Sequence, residues 1–219
     1  MAERKTRAVS DVVDLEAGER LELAAYYVDF EVKLWSTSAP GFWKLERQQF
    51  FKEPGNPSWE AFAAGDWGES MRLIEAGRPD MIDYYRRIEE HGFVNRRVRV
   101  VEQPLTPYLQ WELHVLRMRD QYGGKVRIVT EEQIADAERA APLPEIYTHG
   151  TSTMYQAIYD DDASWNPCAG SPTPLSWRAV SGLSKICTTS AGPWLRSSPN
   201  TSPFFPRRVT RSRCLTCWL

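Results

Sequence analysis

Cysteine is missing from the first 162 residues of this 219-residue chain. The four cysteines lie beyond that point, at Cys168, Cys187, Cys214 and Cys217. A disulfide framework is therefore excluded from the first 162 residues, which is typical of a protein in a reducing compartment. Cys214 and Cys217 form a C-x-x-C pair, but no second pair accompanies them to complete a four-ligand zinc site.

Acidic residues are missing from the opposite part of the chain, residues 163–219. Those residues carry seven of the 27 Lys and Arg residues: Arg178, Lys185, Arg196, Arg207, Arg208, Arg211 and Arg213. Residues 1–162 therefore combine the remaining 20 basic residues with all 29 acidic ones. Because such an excess of negative charge repels phosphate backbones, we expect no direct binding of nucleic acid by this part.

Long apolar runs are also lacking. No stretch of about 18 apolar residues occurs, so no membrane-spanning helix is predicted. Residues 1–20 alternate charged with small residues and contain no apolar segment of the kind that a signal peptide requires. We therefore expect a cytoplasmic protein with no membrane association.

The motifs of common catalytic sites are absent. Residues 1–162 contain no glycine-rich phosphate loop, no G-x-S-x-G and no Cys–His pairing. The three histidines, His91, His114 and His149, are too scattered for a metal site, and the acidic run at 160–162 lacks the glycine and distal glutamate of a calcium loop. We expect no metal and no cofactor, and no residue is assigned a catalytic role.

Residues 163–219 have an unusual composition. They are rich in Ser, Thr, Pro and Arg, show no helical or alternating apolar period, and yet contain Trp165, Trp177, Trp194 and Trp218. Disordered segments rarely carry so much tryptophan and cysteine. Reading the codons one base earlier turns Trp165–Asn166 into glutamate and permits a following Arg-Arg-Phe-Thr segment. We interpret this tail as out-of-frame translation; the alternative is a genuine disordered basic tail.

The first half of the chain gives mixed local signals. We expect residues 1–25 to form a mobile leader and residues 26–35, in which apolar residues alternate, to form a strand. Residues 42–51 suit either a strand or a helix. Ser58 is predicted to cap a short helix over residues 59–64, and Asp66 to cap the next one. Apolar residues at helical spacing then lead to a helix that ends near Gly92.

The clearest unit runs from residue 97 to residue 129. The Arg-Val strand 97–101 is followed by Thr106 as a helix cap and Pro107 at the first helical position. The helix carries an apolar stripe that includes Trp111, and a second Arg-Val strand, 125–129, follows it. We predict that the two strands are parallel neighbours and that the crossover helix buries its stripe, including Trp111, against the sheet.

The last part of the domain predicts a hairpin. Thr130 and Gln133 have the spacing of a capping box, and strands over 145–148 and 153–159 flank a turn in which we expect His149 to be exposed. The whole pattern predicts a small mixed α/β or α+β domain over residues 26–162. Its sheet would have crossover helices and a C-terminal hairpin, and the tail would be irregular.

Two groups of side chains are candidates for contact with a ligand or partner. In open α/β sheets, ligands bind beyond the carboxyl ends of the strands. The first group lies at that end and comprises Arg97, Arg99, Glu102, Thr106, Tyr108, Gln110, Glu112 and His114. The second is a dense set of aromatic residues, Trp35, Phe42, Trp43, Trp59 and Trp67. Core packing explains several of these aromatic residues, and the others would form a partner-binding patch.

The chain resembles an actinobacterial family, the domain of unknown function numbered 6879. The resemblance rests on segments such as GFWKLERQQFF at 41–51, NPSWEAFAAGDW at 56–67 and HGFVNRRVRVVEQPLTPYLQWELH at 91–114, and it ends at the acidic run 160–162. It implies a regulatory or accessory role beside helix-turn-helix transcriptional regulators, and it supplies no catalytic residues.

Three hypotheses about function follow. The first is a cytoplasmic protein-interaction module whose partner is a helix-turn-helix regulator. The alternative is an enzyme that acts on a small or nucleotide-like molecule at the Glu102–Glu112 end of the sheet. A third hypothesis, DNA binding through the basic tail, requires affinity that falls steeply with salt.

Overall fold

The computed structural model describes residues 21–159 and 165–166. These residues form one sheet flanked by helices. The helices are α1 (Leu23–Trp35), α2 (Pro57–Ala63), α3 (Trp67–Ala76), α4 (Arg78–Glu90), α5 (Pro107–Gln121) and α6 (Glu131–Ile134). The strands are β1 (Phe42–Glu46), β2 (Asn95–Val101), β3 (Lys125–Thr130), β4 (Glu145–His149), β5 (Thr153–Tyr159) and β6 (Trp165–Asn166). The mixed helix and strand composition confirms the predicted fold class.

The strand order is β3-β2-β1-β4-β5-β6. Strands β1, β2 and β3 are mutually parallel, whereas β4 runs antiparallel to β1 and pairs with β5 as a hairpin. Strand β6 continues the antiparallel part with two residue pairs. The predicted parallel pairing of the two Arg-Val strands is thus confirmed, and β1 is the strand that joins the parallel and antiparallel halves.

The sheet separates two apolar cores. On one face, helices α1 to α5 contribute to a large aromatic cluster that contains Phe30, Tyr85 and Trp111. On the other face, a smaller aliphatic cluster, which includes Val100 and Ile146, lies beneath Ile134 of α6 and the segment that follows it. Successive side chains of a strand point to opposite faces, so each strand supplies residues to both cores.

Helix α5 is positioned as its sequence predicts. The Thr106 hydroxyl accepts a hydrogen bond from the Leu109 amide at 3.1 Å, and Pro107 occupies the first turn. Trp111 is only 1% exposed, and its indole N–H donates to the Ser58 hydroxyl at 3.0 Å. The predicted burial of Trp111 is therefore confirmed, and the hydrogen bond ties α5 to α2.

Residues 26–35 were predicted as a strand, and this prediction is wrong: they belong to helix α1. Tyr26, Phe30 and Leu34 are buried at four-residue spacing, whereas Val28 and Val32 are exposed between them. The apparent alternation thus combines two helical stripes, one inside and one outside. Within the ambiguous stretch 42–51, β1 takes Phe42–Glu46, and the remaining residues lie outside helices and strands.

Two further local predictions need correction. Asn56, not Ser58, caps α2, because its side chain accepts hydrogen bonds from the amides of Ser58 and Trp59. His149 was expected to be exposed in a turn, but it is buried, with only 2% of its surface exposed. Strand β4 extends through His149, whose ring packs against those of Phe30 and Phe42.

Other capping predictions are confirmed. Asp66 accepts a hydrogen bond at the start of α3, and Thr130 with Gln133 forms the capping box of α6. Gly92, which follows the C-cap residue His91 of α4, adopts a positive φ of 73°, as expected of a residue that ends a helix.

The two ends of the chain lie largely outside the described residues. Of the predicted mobile leader, 1–25, residues 1–20 lie outside the described part of the chain, and α1 begins at Leu23. The interpretation of 163–219 as an out-of-frame tail also concerns residues outside the description, apart from β6. Among the helices that are described, none has the length and apolar character needed to cross a membrane.

Candidate functional site

A cluster of charged side chains lies between the sheet and its helices. Alternation along the strands places five charged residues on the face of the sheet that helices α1 to α5 cover. They are Lys44 and Glu46 of β1, Arg97 and Arg99 of β2, and Glu145 of β4. The register pairs Lys44 with Arg97 and Glu46 with Arg99. Charged groups are rarely buried unless they are paired. We therefore take this buried cluster as the candidate site.

Arg99 lies at the centre of this cluster and is completely enclosed. Its Nε donates to Oε2 of Glu112, from α5, at 2.7 Å, and its Nη1 donates to the main-chain oxygens of Glu46 and Val100 at 3.4 and 3.2 Å. Its Nη2 has no hydrogen-bond partner among the described residues. The ring of Phe51 lies over the guanidinium, with its centroid 5.3 Å from Cζ.

Glu46 joins two cations. Its carboxylate contacts Nζ of Lys44 at 2.8 Å and Nη1 of Arg97 at 2.8 and 2.9 Å. Burial alone would raise the pKa of Glu46, but the positive charges of Arg97 and Lys44 outweigh burial and hold its pKa well below the ordinary value. Glu46 therefore stays ionised at neutral pH.

Two other carboxyl groups of the cluster behave differently. Burial raises the pKa of Glu112 to about 7, against the attraction of Arg99. Burial also raises the pKa of Glu145 to about 7, and the nearby charge of Glu46 adds to the effect. The cluster thus contains two carboxyl groups that titrate near neutrality beside one that does not.

Glu145 also fixes the segment that follows β1. Its Oε1 accepts hydrogen bonds from the amides of Arg47 and Gln48 at 2.6 and 2.5 Å. Its Oε2 has no hydrogen-bond partner within the described part of the chain. This segment carries Phe51, which contacts the rings of Tyr108 and Tyr159 and so closes the cluster above Arg99.

The structure divides the first predicted group of site residues into an inner and an outer part. Arg97, Arg99, Tyr108 and Glu112 are buried, and the structure brings Arg99 and Glu112 into direct contact. The predicted open surface is therefore closed at these four positions.

The outer part of that group is Glu102, Thr106, Gln110 and His114. Glu102 forms an ion pair with Arg47 at 2.5 Å, and Thr106 caps α5. Gln110 and His114 are exposed, and the ring of His114 lies 5.9 Å from that of Trp67. Glu102 and Thr106 thus lie on the strand-to-helix connection, and Gln110 and His114 lie on the exposed side of α5, away from the buried cluster.

The five predicted aromatic residues occupy different environments. Phe42 is buried against Phe30 and His149, and Trp35, Trp43 and Trp59 are half-buried. Trp67 is 41% exposed. Phe42 therefore belongs to the core, and Trp67 is the member that presents most of its ring to solvent.

Sequence reasoning missed Lys44, Glu46 and Glu145. A signal was present in β1, where the two charged residues Lys44 and Glu46 share one face of the strand and Leu45 lies on the other. The same pattern appears in Arg97 and Arg99 of β2. Two neighbouring strands with charges on one face indicate a charge ladder, but only if their pairing is known.

The described residues contain no group of three or more His, Cys, Asp or Glu side chains placed to hold a metal ion. The arrangement instead provides buried ion pairs, two carboxyl groups with raised pKa values, and two polar atoms without partners. Such an arrangement can exchange protons near neutral pH.

Comparison with known proteins identifies the family. The profile of the family described as Domain of unknown function (DUF6879) matches residues 29–174, which include every strand described above. The match extends past the acidic run 160–162, where the resemblance was expected to end, into residues 163–174 of the segment 163–219. No match was found among curated proteins or among solved structures. Because the matched residues make up more than half of the 219-residue chain, the protein belongs to the DUF6879 family.

Proposed function

We propose that this domain is a cytoplasmic regulatory or accessory module that acts by binding another protein. The partner that the family resemblance implies is a helix-turn-helix transcriptional regulator. The acidic character of residues 1–162, with 29 acidic and 20 basic residues, supports a basic protein partner rather than nucleic acid.

One observation carries this proposal. Val28 and Val32, on the outer side of α1, are 69% and 62% exposed, whereas the other large apolar side chains on the described surface are exposed by 42% or less. Full burial of a valine side chain is worth about 1.5–3 kcal/mol. A partner that covers this face gains that free energy, so an exposed apolar helix face is typical of an interaction site.

A pull-down with the tagged full chain tests the proposal. A helix-turn-helix regulator should co-purify from a native extract in near-stoichiometric amount, and the two purified proteins should reform the complex. A Trp111→Ala variant, which loses core packing, is the control and should lose the complex together with its fold. The proposal fails if no protein co-purifies in stoichiometric amount with the folded wild-type chain.

A second candidate function is catalysis on a small or nucleotide-like molecule at the Glu102–Glu112 end of the sheet. Glu112 and Glu145 have pKa values of about 7, which suit a general acid or base near neutral pH, but both are buried, so this function requires the buried cluster to open to its substrate. A metabolite library that neither raises the melting temperature nor is turned over by the protein rules this candidate out.

We also propose that residues 163–219 arise from out-of-frame translation of a GC-rich actinobacterial gene. Their composition supports this, since they lack acidic residues and hold all four cysteines. Resequencing the gene around the codon of Asp162, together with the mass of the protein from its native source, tests the proposal. An unchanged reading frame and a native mass of 25.2 kDa contradict it.

A further inference from the structure

Helix α1 is held rigidly by its inner side. Tyr26, Phe30 and Leu34, at four-residue spacing, are each no more than 3% exposed. The ring of Tyr26 lies edge-on to that of Tyr155 at 5.3 Å, and the Tyr155 hydroxyl donates a hydrogen bond to Asp29. The opposite side of α1 is therefore presented in one orientation, as a preformed surface.

That outer side is an apolar stripe. Ala24, Val28 and Val32 are exposed at four-residue spacing, and Trp35 follows three residues later on the same side of the helix. The half-buried ring of Trp35 turns from this side toward the core and contacts the rings of Tyr84 and Phe93. Valine is a poorer helix former than alanine because its branched side chain is restricted in a helix. Helix stability therefore does not explain two exposed valines at these positions.

The stripe ends in an aromatic and cationic contact. The guanidinium of Arg87 lies over the indole of the half-buried Trp35, 4.0 Å from its centroid, and the His91 ring is 5.0 Å away. Tryptophan and arginine are the residue types that contribute most to binding at protein interfaces. The stripe thus combines the exposed valines Val28 and Val32 with the Trp35–Arg87 contact at its C-terminal end.

Acidic residues border the stripe on both sides. Glu31 precedes Val32 on one side and is exposed, whereas Asp29, which follows Val28 on the other side, is half-buried and accepts the hydrogen bond of the Tyr155 hydroxyl. Two copies of α1 packed against each other would bring these like charges together, which disfavours self-association. A helix with an apolar stripe, basic residues beside Glu31 and Asp29, and no cation opposite Arg87 complements these features.

We infer that the outer stripe of α1 (Ala24, Val28, Val32 and Trp35) is the docking surface for an amphipathic helix with basic flanks from a protein partner. The inference rests on the proposed function and specifies where binding occurs and what chemistry the partner presents. A partner helix of about three turns covers the stripe from Ala24 to Trp35, since each residue adds about 1.5 Å.

Photo-crosslinking in cells tests the inference with the full chain. A benzoylphenylalanine at position 32 should form an adduct with a segment of another protein that has apolar residues at helical spacing and Lys or Arg beside them. The same group at Ile158, which is 37% exposed on the opposite face of the sheet, is the control and should not form that adduct. An adduct between two copies of this chain, an adduct with residues 1–20, a segment without basic flanks, or no adduct at position 32 overturns the inference.

Binding measurements separate this inference from the proposed function. A synthetic peptide of the crosslinked segment should bind Val28→Glu/Val32→Glu at least tenfold more weakly than the wild type, and Ile158→Glu unchanged. Glu31→Lys should weaken binding several-fold and reduce its dependence on salt. Circular dichroism should show that the variants remain folded. If the complex with the whole partner forms but the valine variants bind normally, the surface is wrong and the proposed function stands. If the wild type forms no complex, the proposed function itself fails.

Discussion

The side chains of Arg99 and Glu112 form an ion pair, Nε to Oε2 at 2.7 Å, that is almost completely enclosed between β2 and α5. The two residues are only 13 positions apart, Arg99 within β2 and Glu112 within α5, on either side of the connection from strand to helix. The pair therefore fixes how the crossover helix sits on the sheet. It also removes from solvent two of the residues that the sequence suggested for a ligand surface.

Breaking this pair should destabilise the domain more than replacing it. Glu112→Leu leaves the guanidinium of Arg99 buried without its partner, and the loss of one member of a buried pair costs about 3–5 kcal/mol. The double variant Arg99→Met/Glu112→Leu should be less destabilised than the sum of the two single variants. Urea unfolding of the four proteins measures the coupling free energy, and additive losses would contradict the prediction.

Stability should rise as the pH falls from 8 toward 5. Glu112 and Glu145 have pKa values of about 7 in the folded protein against an ordinary value of 4.5, so the folded state binds more protons than the unfolded state between these values. Their contribution is fully present below pH 4.5 and is lost as the pH rises through 7. Each carboxyl group contributes up to about 3 kcal/mol over this range.

The experiment is a set of urea unfolding curves between pH 4.5 and 8. Glu112→Gln and Glu145→Gln should each flatten the dependence on pH, because glutamine does not titrate. Glu60→Gln, at an exposed position on α2, is the matched control and should leave the dependence unchanged. A wild-type stability that increases steadily up to pH 8 contradicts the prediction.

His149 should act in the opposite direction at lower pH. Burial lowers its pKa to about 3, so between pH 6.5 and 3 the unfolded state takes up a proton that the folded state excludes. Stability is then lost as the pH falls, by up to about 1.4 kcal/mol per pH unit. Thr37 donates its hydroxyl to Lys33 O at 2.9 Å, so the contact of 3.1 Å with Nδ1 of His149 makes the imidazole the donor.

The neutral tautomer therefore leaves Nε2 of His149 as an acceptor without a hydrogen-bond partner among the described residues. His149→Phe removes that group and keeps a ring among Phe30, Phe42 and Tyr155. The variant should lose stability less steeply than the wild type between pH 6 and 4, as followed by thermal unfolding. If stability falls equally steeply with pH in both proteins, protonation of His149 is not the cause of the loss.

Local signals were sufficient for the part of the fold around α5. The start of α5 depends on neighbouring residues, Thr106 as the cap and Pro107 in the first turn, and its buried side depends on one apolar stripe that includes Trp111. The sequence alone therefore indicates both the helix and its buried side. The charged cluster depends on contacts that no local pattern specifies. Glu46 meets Arg97 and Arg99 across 51 or more positions, and only the strand order, with β1 between β2 and β4, brings them together.

Helix α1 and His149 show a second limit. Val28 and Val32 are apolar although they are exposed, and they alternate with the buried residues Tyr26, Phe30 and Leu34. The sequence therefore shows an apolar residue at every second position, which is the pattern of one face of a strand. In the sequence, His149 follows the predicted strand 145–148 and precedes Gly150, which is typical of a turn. Its burial results from packing against α1, an element that the sequence pattern had assigned as a strand.

Gly41 and Gly55 provide a matched test of the start of β1. Both have a positive φ, 103° and 84°, so alanine is strained at either position. A Cβ at Gly55 meets no atom within 4 Å, whereas at Gly41 it would lie 2.4 Å from the main-chain oxygen of Val94, which accepts the hydrogen bond of Phe42. Gly55→Ala should cost about 1–2 kcal/mol. Gly41→Ala should cost at least about 2 kcal/mol more, because the backbone that joins β1 to β2 must move. Equal losses in urea unfolding would show that the approach of Val94 to Gly41 does not limit the packing of these two strands.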